Sequence, residues 1–258
     1  MTVTCLIENT KINDSFYAEH GLSFYIKTKE HNILFDMGQS NLFAQNAQTL
    51  GIDLADVDIA ILSHGHYDHG GGLAKFLELN KKAPVYLSRY AFEPHYNGTE
   101  KYIGLDISLK DNNRLIYTDG IFKIDNELTL FSHNETEKRY DLGSFGLTEK
   151  QNGEFAPDSF RHEHYLLIEE AGTKVVFSGC SHKGILDIAE WFDPDVLIGG
   201  FHFSKLPLDE KLSEYADILS KHDTDFYTCH CTGTDQFEFM KKRMNRLFYI
   251  SSGQTVNF

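Results

Sequence analysis

Short blocks of apolar residues separated by polar turns run along the whole chain, which predicts a mixed α/β protein. Residues 22–28 (LSFYIKT) and 32–37 (NILFDM) flank the polar turn KEH, a pattern typical of a β-hairpin. Apolar residues then recur at helical spacing over residues 42–50, and Gly51 is placed to end that helix. Residues 56–62 (DVDIAIL) are apolar and β-branched, as expected for a buried strand.

The second half of the chain repeats this order of elements. Residues 174–177 (KVVF) and 195–198 (DVLI) are predicted strands, and apolar residues at helical spacing lie between them over residues 185–192. The first half reads NILFDMG, helix, DVDIAILSH, and the second reads KVVFSGC, helix, DPDVLIGGFH. This similarity predicts an internal duplication, and pairing of the halves would bring both sets of strand ends to one cleft.

A less regular segment separates the two halves. Residues 92–141 are polar and turn-rich, apart from the run GIFKIDNELTLFS, which predicts a hairpin. We expect this segment to be an insertion that faces the substrate, within a single domain that spans residues 1–258.

The composition is that of a globular protein, with 258 residues, 41% of them hydrophobic and 24% charged. No apolar run approaches the length of a membrane span, so no membrane association is expected. The N-terminal run MTVTCLIENT lacks a basic region followed by an apolar core, which predicts a cytoplasmic protein. In that compartment the four cysteines are expected to be reduced, which leaves packing or metal ligation as their roles.

The formal net charge of -14 argues against nucleic acid as a partner. Nonspecific nucleic-acid binding depends on clustered Lys and Arg that neutralise phosphates. We therefore expect a small-molecule substrate. The sequence carries no signal for a particular oligomeric state.

The densest cluster of reactive side chains lies in LSHGHYDHGGG, residues 62–72, directly after a predicted strand. It contains His64, His66, Asp68 and His69. Imidazoles and carboxylates are the usual ligands of zinc and other first-row metals, and strand ends in α/β folds present loop side chains to ligands. The cluster predicts a metal site rather than a solvated loop.

The HxHxDH pattern of these four residues resembles the signature of the metallo-β-lactamase fold superfamily. That resemblance implies an α/β fold, an αββα sandwich of two pseudo-repeated halves, with two divalent metal ions. In the superfamily the first two histidines, here His64 and His66, bind one metal. The aspartate and the last histidine, here Asp68 and His69, bind the second.

The resemblance also implies ligands in the second half of the chain. Cys180, at the end of VVFSGC, stands where the superfamily usually has an aspartate, and a thiolate favours zinc over manganese or iron. His230, in TDFYTCHCTG, matches the last histidine of the superfamily. The third histidine of the first metal is expected at His162, with His164 or Glu163 as alternatives.

Three other residues near these ligands have expected roles. Cys229 and Cys231 flank His230 and are expected to pack in the core, because a lone CxC pair is weak evidence for a metal site. Asp36, at the end of NILFDMG, is expected to orient a ligand histidine.

Three motifs narrow the resemblance: GCSHKGI around His182, GGFH ending at His202, and HCTG. They are similar to the subgroup of dihydropterin ribofuranosylaminobenzene-phosphate synthase-related metallo-hydrolases, over nearly the whole chain. The implied catalytic residues are Asp68, which would orient the nucleophile, and His182 and His202, which would contact the substrate or its leaving group.

The predicted function is that of an enzyme. It would be a binuclear hydrolase that uses a metal-bound hydroxide on a small ester, phosphoester or related substrate. A second hypothesis is a metal-dependent transferase that condenses a dihydropterin-type diphosphate with a phosphorylated acceptor. A third is a noncatalytic metal or ligand sensor.

Overall fold

Two large β-sheets and one small sheet organise the protein in a computed structural model, which describes all residues from Met1 to Phe258. Strands and helices are numbered along the chain. The first large sheet contains β1 (Thr2–Ile7), β2 (Ser23–Lys27), β3 (Asn32–Phe35), β4 (Ile59–Leu62), β5 (Val85–Ser88), β8 (Leu115–Thr118) and β18 (Thr255–Asn257). Their order across the sheet is β18-β1-β2-β3-β4-β5-β8.

The second large sheet has the same number of strands. It contains β9 (Ile121–Lys123), β10 (Leu128–Phe131), β13 (Tyr165–Glu170), β14 (Thr173–Ser178), β15 (Val196–Gly199), β16 (Asp225–Thr228) and β17 (Leu247–Tyr249), in the order β17-β16-β15-β14-β13-β10-β9. The small sheet contains β6 (His95–Asn97), β7 (Lys101–Tyr102), β11 (Leu147–Gln151) and β12 (Glu154–Pro157), in the order β12-β11-β6-β7.

Helices connect the parallel strands of both large sheets. They are α1 (Leu42–Thr49), α2 (Tyr67–Gly70), α3 (Leu73–Leu79), α4 (Ile185–Phe192), α5 (Glu210–Leu219) and α6 (Thr234–Lys241). Short 3₁₀ turns span Leu54–Asp56, Ile107–Leu109 and His230–Thr232. None of the helices has the length and apolar character needed to cross a membrane.

The apolar core consists of three layers. Side chains from the inner faces of the two large sheets pack against each other, as Phe24 and Phe35 do against Phe177. A second cluster packs α1 and α3, with Phe43 and Phe76, against the outer face of the first sheet. A third cluster packs α4, α5 and α6 against the outer face of the second sheet. This arrangement confirms the αββα sandwich.

The predicted duplication is confirmed by the strand pairing. In the first sheet β1, β2 and β3 pair antiparallel, and β3, β4, β5 and β8 then pair parallel. In the second sheet β10, β13 and β14 pair antiparallel, and β14, β15, β16 and β17 then pair parallel. The histidine loop after β4 and the SGC loop after β14 therefore lie at the carboxyl edges of two similar sheets.

The segment 92–141 is not one continuous insertion. Its predicted hairpin exists as β9 and β10, but β10 pairs with β13 and is the counterpart of β1 in the second large sheet. β8 likewise completes the first large sheet. Only β6 and β7 stand apart, where they pair with β11 and β12 from a later part of the chain. Periodicity within the segment cannot reveal these distant partners, and a substrate-facing role of the segment stays a prediction.

Candidate metal centre

Asp36 anchors the histidine loop that follows β4. It directly follows β3, is fully buried, and has a left-handed backbone with a φ of 59°. Its carboxylate accepts hydrogen bonds from the Ser63 amide at 2.7 Å, the Ser63 hydroxyl at 2.7 Å and His69 Nδ1 at 2.6 Å. The contact with His69 turns its Nε2 towards the cleft, as predicted for a carboxylate that orients a ligand histidine.

Three buried histidines, His64, His66 and His182, form a set that we call the first group. One ligand atom from each lies within 4.8 Å of the others, and the Nε2 atoms of His64 and His182 are 3.3 Å apart. Burial lowers the pKa of all three rings well below the usual range of histidine. Each ring is therefore neutral and has a lone pair available for a metal ion.

Four residues, Asp68, His69, Cys180 and His230, form a set that we call the second group. Cys180 Sγ and His230 Nε2 each lie 3.2 Å from His69 Nε2. Asp68 Oδ2 lies 3.5 Å from His230 Nε2 and 3.9 Å from His69 Nε2. Ligands of a tetrahedral zinc ion, with bonds of about 2.0–2.3 Å, lie roughly 3.3–3.8 Å apart. The spacings fit a metal ion, and the mixed sulfur, nitrogen and oxygen donors suit zinc.

The charges within the second group favour a cation. Burial alone would raise the pKa of Asp68, but His69, His20 and His230 together hold it well below its usual range, so the carboxylate is ionised. Burial would lower the pKa of His69, but Asp36 and Asp68 raise it to about 9. Ligation by His69 therefore releases a proton from its ring.

His20 is a member of the site that the sequence did not predict. Its Nε2 lies 3.2 Å from Asp68 Oδ2, and its ring centroid is 4.8 Å from that of His230. The hydrogen bond to Asp68 raises the pKa of His20. It lies in the irregular segment before β2, where no motif or periodicity marks it.

The residues expected to provide the third ligand of the first metal make other contacts. His162 Nδ1 accepts a hydrogen bond from the Gly65 amide at 3.0 Å, and its Nε2 faces Asp158 at 3.4 Å. His164 Nδ1 lies 3.3 Å from Thr118 Oγ1. The ring centroid of His162 lies 4.9 Å from that of His66, but neither His162 nor His164 stands in the ligand set formed by His64, His66 and His182.

Glu163 supports the loop that carries His182. Its carboxylate accepts hydrogen bonds from the backbone amides of His182 at 2.7 Å and Lys183 at 3.0 Å, and from the Tyr165 hydroxyl at 2.7 Å. The geometry favours His182 over His162 as the third ligand beside His64 and His66, and the assignment of His162 stays a prediction. The sequence predicts a substrate contact for His182, because its motif GCSHKGI is not part of the general superfamily signature.

Comparison with known proteins identifies the fold family. The model of the metallo-β-lactamase superfamily matches residues 17–218. The chain belongs to this superfamily.

Individual relatives agree with that membership. The crystal structure of Tm1679, a metal-dependent hydrolase of the β-lactamase superfamily, aligns with a TM-score of 0.83 and 30% identity, covering 100% of this chain and 99% of Tm1679. The uncharacterized protein MJ0448 of Methanocaldococcus jannaschii is 28% identical, over 98% of this chain and 99% of its own length.

A second protein of Methanocaldococcus jannaschii matches the predicted subgroup. The 7,8-dihydropterin-6-methyl-4-(beta-D-ribofuranosyl)-aminobenzene-5'-phosphate synthase is 28% identical, over 95% of this chain and 92% of its own length. The resemblance that the motifs indicated is thereby confirmed at the level of the family.

Of the two cysteines beside His230, only Cys229 packs as predicted. It is buried in the core between the two large sheets. Cys231 instead lines the cleft over the metal centre, within ligand distance of Cys180 and His230. The prediction for Cys231 assumed an extended chain, whereas a 3₁₀ turn begins at His230 and brings Cys231 to the same side as that histidine.

His202 lies beside both the first group and the second group. Its ring centroid lies 4.4 Å from that of His182 and 4.5 Å from that of Phe145. It also lies within ligand distance of Cys180 and His182, and its backbone has a left-handed φ of 58°. This position suits the predicted contact with a substrate, and that role stays a prediction.

The cleft over the metal centre is small and has a basic mouth. Its volume is about 140 Å³, which corresponds to roughly five water molecules at about 30 Å³ each. Besides the candidate ligands it is lined by Asn97 and Lys101 from the small sheet and by Ser204 and Lys205 from the loop after β15. The enclosed space admits only a small chemical group, and the two lysines lie at its entrance.

Proposed function

We propose that the protein is a binuclear metal-dependent hydrolase, with zinc as its preferred metal, that acts on small phosphoesters or related esters carrying an anionic group. The observation that carries this proposal is the contact between the first and second groups, since His64, His69 and Cys180 lie within 4.8 Å of one another. Metal ions bound by two adjoining ligand groups would act on the same substrate group. The whole-length match to the metal-dependent hydrolase Tm1679 supports the same reaction class.

The residues of the cleft divide the chemistry between them. When bound, the metal ions would lower the pKa of a water molecule and polarise the oxygen of the bond to be cleaved. Asp68, which is ionised and accepts a hydrogen bond from His20, would orient the nucleophile. His202, which lies beside His182 at the edge of the cleft, would donate a proton to the leaving group.

The basic mouth supports an anionic substrate. Lys101 and Lys205 are exposed and line the cleft of a chain whose net charge is -14. Cations placed at the entrance of a strongly acidic protein attract anions to that entrance. A phosphate or carboxylate on the substrate would contact these lysines while the bond to be cleaved lies over the metal centre.

Replacing Lys101 and Lys205 together by alanine is expected to raise KM for an anionic ester by about 10-fold, because an exposed charge contact contributes about 1 kcal/mol or less per lysine. The KM of a neutral ester of similar size should change much less. Steady-state kinetics on the two esters provides the measurement, and Lys174→Ala with Lys221→Ala is the matched control for net charge. Equal effects on both substrates would contradict an anion-binding role.

A transferase is the second candidate, favoured by the similarity to the dihydropterin synthase over 95% of this chain. The same ligand groups would then activate a diphosphate leaving group, and the lysines would contact a phosphorylated acceptor. Both reactions need the same metals and differ in whether water or the acceptor attacks.

Turnover by metal-loaded protein tests the proposal. Zinc- or manganese-loaded protein is expected to hydrolyse at least one member of a panel of phosphodiesters, phosphomonoesters and lactones. A chelator should abolish this activity, and added zinc should restore it. Condensation of a dihydropterin diphosphate with a phosphorylated arylamine, without hydrolysis of the panel, would replace the hydrolase by the transferase. Metal binding without either reaction would contradict the enzyme and support a sensor.

A further inference from the structure

The segment directly after β1 contacts the turn that carries His230. Glu8 and Asn9 follow the last residue of β1 in the first large sheet, whereas His230 follows β16 in the second. His230 begins its 3₁₀ turn with a left-handed φ of 49°, a conformation that is uncommon for residues other than glycine. Such a conformation persists where contacts from the surrounding structure hold it.

Glu8 holds the backbone of this turn. Its side chain is fully buried, and its Oε2 accepts hydrogen bonds from the His230 amide at 3.1 Å and from the Tyr249 hydroxyl at 3.0 Å. Its Oε1 accepts a hydrogen bond from the Thr10 amide at 2.5 Å. These contacts position the backbone of His230 and leave the direction of its ring to another residue.

Asn9 contacts the ring itself. Its Oδ1 lies 2.9 Å from His230 Nδ1, and its amide nitrogen lies 3.4 Å from the backbone carbonyl oxygen of His230. The reverse orientation of the amide would place two acceptors, Oδ1 and the carbonyl oxygen, against each other. Oδ1 is therefore the atom that faces the ring. Since an amide oxygen only accepts hydrogen bonds, His230 Nδ1 carries a proton.

A proton on Nδ1 leaves the lone pair of a neutral His230 ring on Nε2. That atom points into the second group, 3.2 Å from His69 Nε2 and 3.5 Å from Asp68 Oδ2. Asp36 makes the corresponding contact with the other histidine of this group, where its Oδ2 lies 2.6 Å from His69 Nδ1. β1 and β3 run in the same direction, because both pair antiparallel with β2. The loops that follow them thus each supply one acceptor that directs a histidine Nε2 into the same space.

We propose that Asn9 is a positioning residue of the metal centre: its amide oxygen accepts the Nδ1–H of His230 and so fixes Nε2 as the metal-binding atom. The assignment rests on the proposed second group and adds to it a residue that no motif in the sequence marks. Asn9 contacts neither the metal nor the substrate and acts through His230. Its side chain is exposed, so its substitution should leave the apolar core intact.

Two substitutions of similar size separate this role from a structural one. Asn9→Leu removes the acceptor and is expected to weaken zinc binding by the second group about 10–100-fold. Asn9→Asp keeps an acceptor beside Nδ1 but cannot donate to the carbonyl oxygen of His230. It is expected to recover most of the affinity, because an ionised acceptor forms the stronger hydrogen bond. If Asn9 only closed the loop through its amide hydrogens, both substitutions would weaken binding alike.

The ring of His230 provides the measurement. Long-range proton–nitrogen NMR spectra of the full chain identify the nitrogen that binds zinc, and the shift of the ring in chelator-buffered zinc gives the dissociation constant of the second group. The wild type should show zinc on Nε2 and a proton on Nδ1 that exchanges slowly with water. Asn9→Leu should lose that slow exchange, and Asn9→Asp should regain it. Asn113→Leu, at an exposed asparagine in the turn before β8, is the matched control and should change neither.

Three results would overturn the role of Asn9 while leaving the metal centre intact. They are zinc on Nδ1 of His230 in the wild type, a zinc affinity of Asn9→Leu within about twofold of wild type, and equal weakening in Asn9→Asp and Asn9→Leu. The last of these would assign Asn9 to holding the loop. A wild-type protein in which zinc does not shift the His230 ring would instead overturn the second group itself, and the role of Asn9 with it.

Discussion

Replacing His182 with alanine is expected to remove the metal ion of the first group and to lower turnover at least about a thousandfold. A catalytic metal supplies several kcal/mol of transition-state stabilisation, and about 1.4 kcal/mol corresponds to a tenfold change in rate. His182 Nε2 lies 3.3 Å from His64 Nε2, so its loss leaves only His64 and His66 in that group. Metal-replete wild-type protein should contain close to two zinc ions per chain and the variant close to one, as measured by elemental analysis beside kcat.

Comparison of His162→Ala with His182→Ala decides which of these two histidines is the third ligand of the first group. It should retain the ion beside His64, with no more than the weakening expected from the loss of one contact to Asp158. His164→Ala should retain both ions, since His164 Nδ1 contacts Thr118 and His164 belongs to neither ligand group. Loss of the first-group ion in His162→Ala, together with its retention in His182→Ala, would restore His162 as the third ligand. Melting temperatures of the variants control for unfolding.

The parts of this architecture that the sequence predicts are those that local patterns encode. Within the predicted run 56–62, residues Ile59–Leu62 form a buried strand because they are apolar and β-branched, and the histidine loop follows because HxHxDH starts where that strand ends. The repeat of NILFDMG and KVVFSGC could be predicted for the same reason, because each is a buried strand that ends in a polar or thiol side chain. In the structure β3 and β14 hold equivalent positions in the two sheets.

What the sequence did not reveal depends on contacts between distant segments. His95 and Asp158 meet because β6 pairs with β11 and β11 pairs with β12, a register that no periodicity within 92–141 encodes. His20 contacts Asp68 from a segment without regular structure. The prediction for Cys231 was wrong because residues 230–232 form a 3₁₀ turn and do not continue the extended strand.

The geometry that favours His182 over the predicted His162 as third ligand also depends on a contact between distant segments. Superfamily spacing points to a histidine about one strand before Cys180, and His162 satisfies that spacing. In the structure His182 reaches His64 instead, because Glu163 binds its backbone amide and closes the loop after β14 over the cleft. The motif GCSHKGI contains His182, and the contact between Glu163 and the His182 amide, which places it beside His64, is not encoded in that motif.

Substitution of Cys180 should change which metal the second group prefers. Its thiol is buried, which raises the pKa of the metal-free side chain, and its Sγ lies 3.2 Å from His69 Nε2. A bound metal would deprotonate it, and a thiolate prefers zinc, whereas a carboxylate accepts manganese or iron more readily. Cys180→Asp is therefore expected to keep two ions but to shift the preference of the second group towards manganese and iron.

Cys180→Ser should instead lower zinc occupancy of the second group, since a neutral hydroxyl is a poor ligand, and turnover should fall with it. The matched control is Cys229→Ser, because Cys229 is equally buried but packs between the sheets. Burying its hydroxyl should cost about 1–3 kcal/mol of stability without changing the metal content. Zinc per chain measured beside the melting temperature distinguishes the two cysteines. Full zinc occupancy in Cys180→Ser would remove Cys180 from the ligands, and Cys180→Asp should then lose stability by burying an unpaired charge, with no change in metal preference.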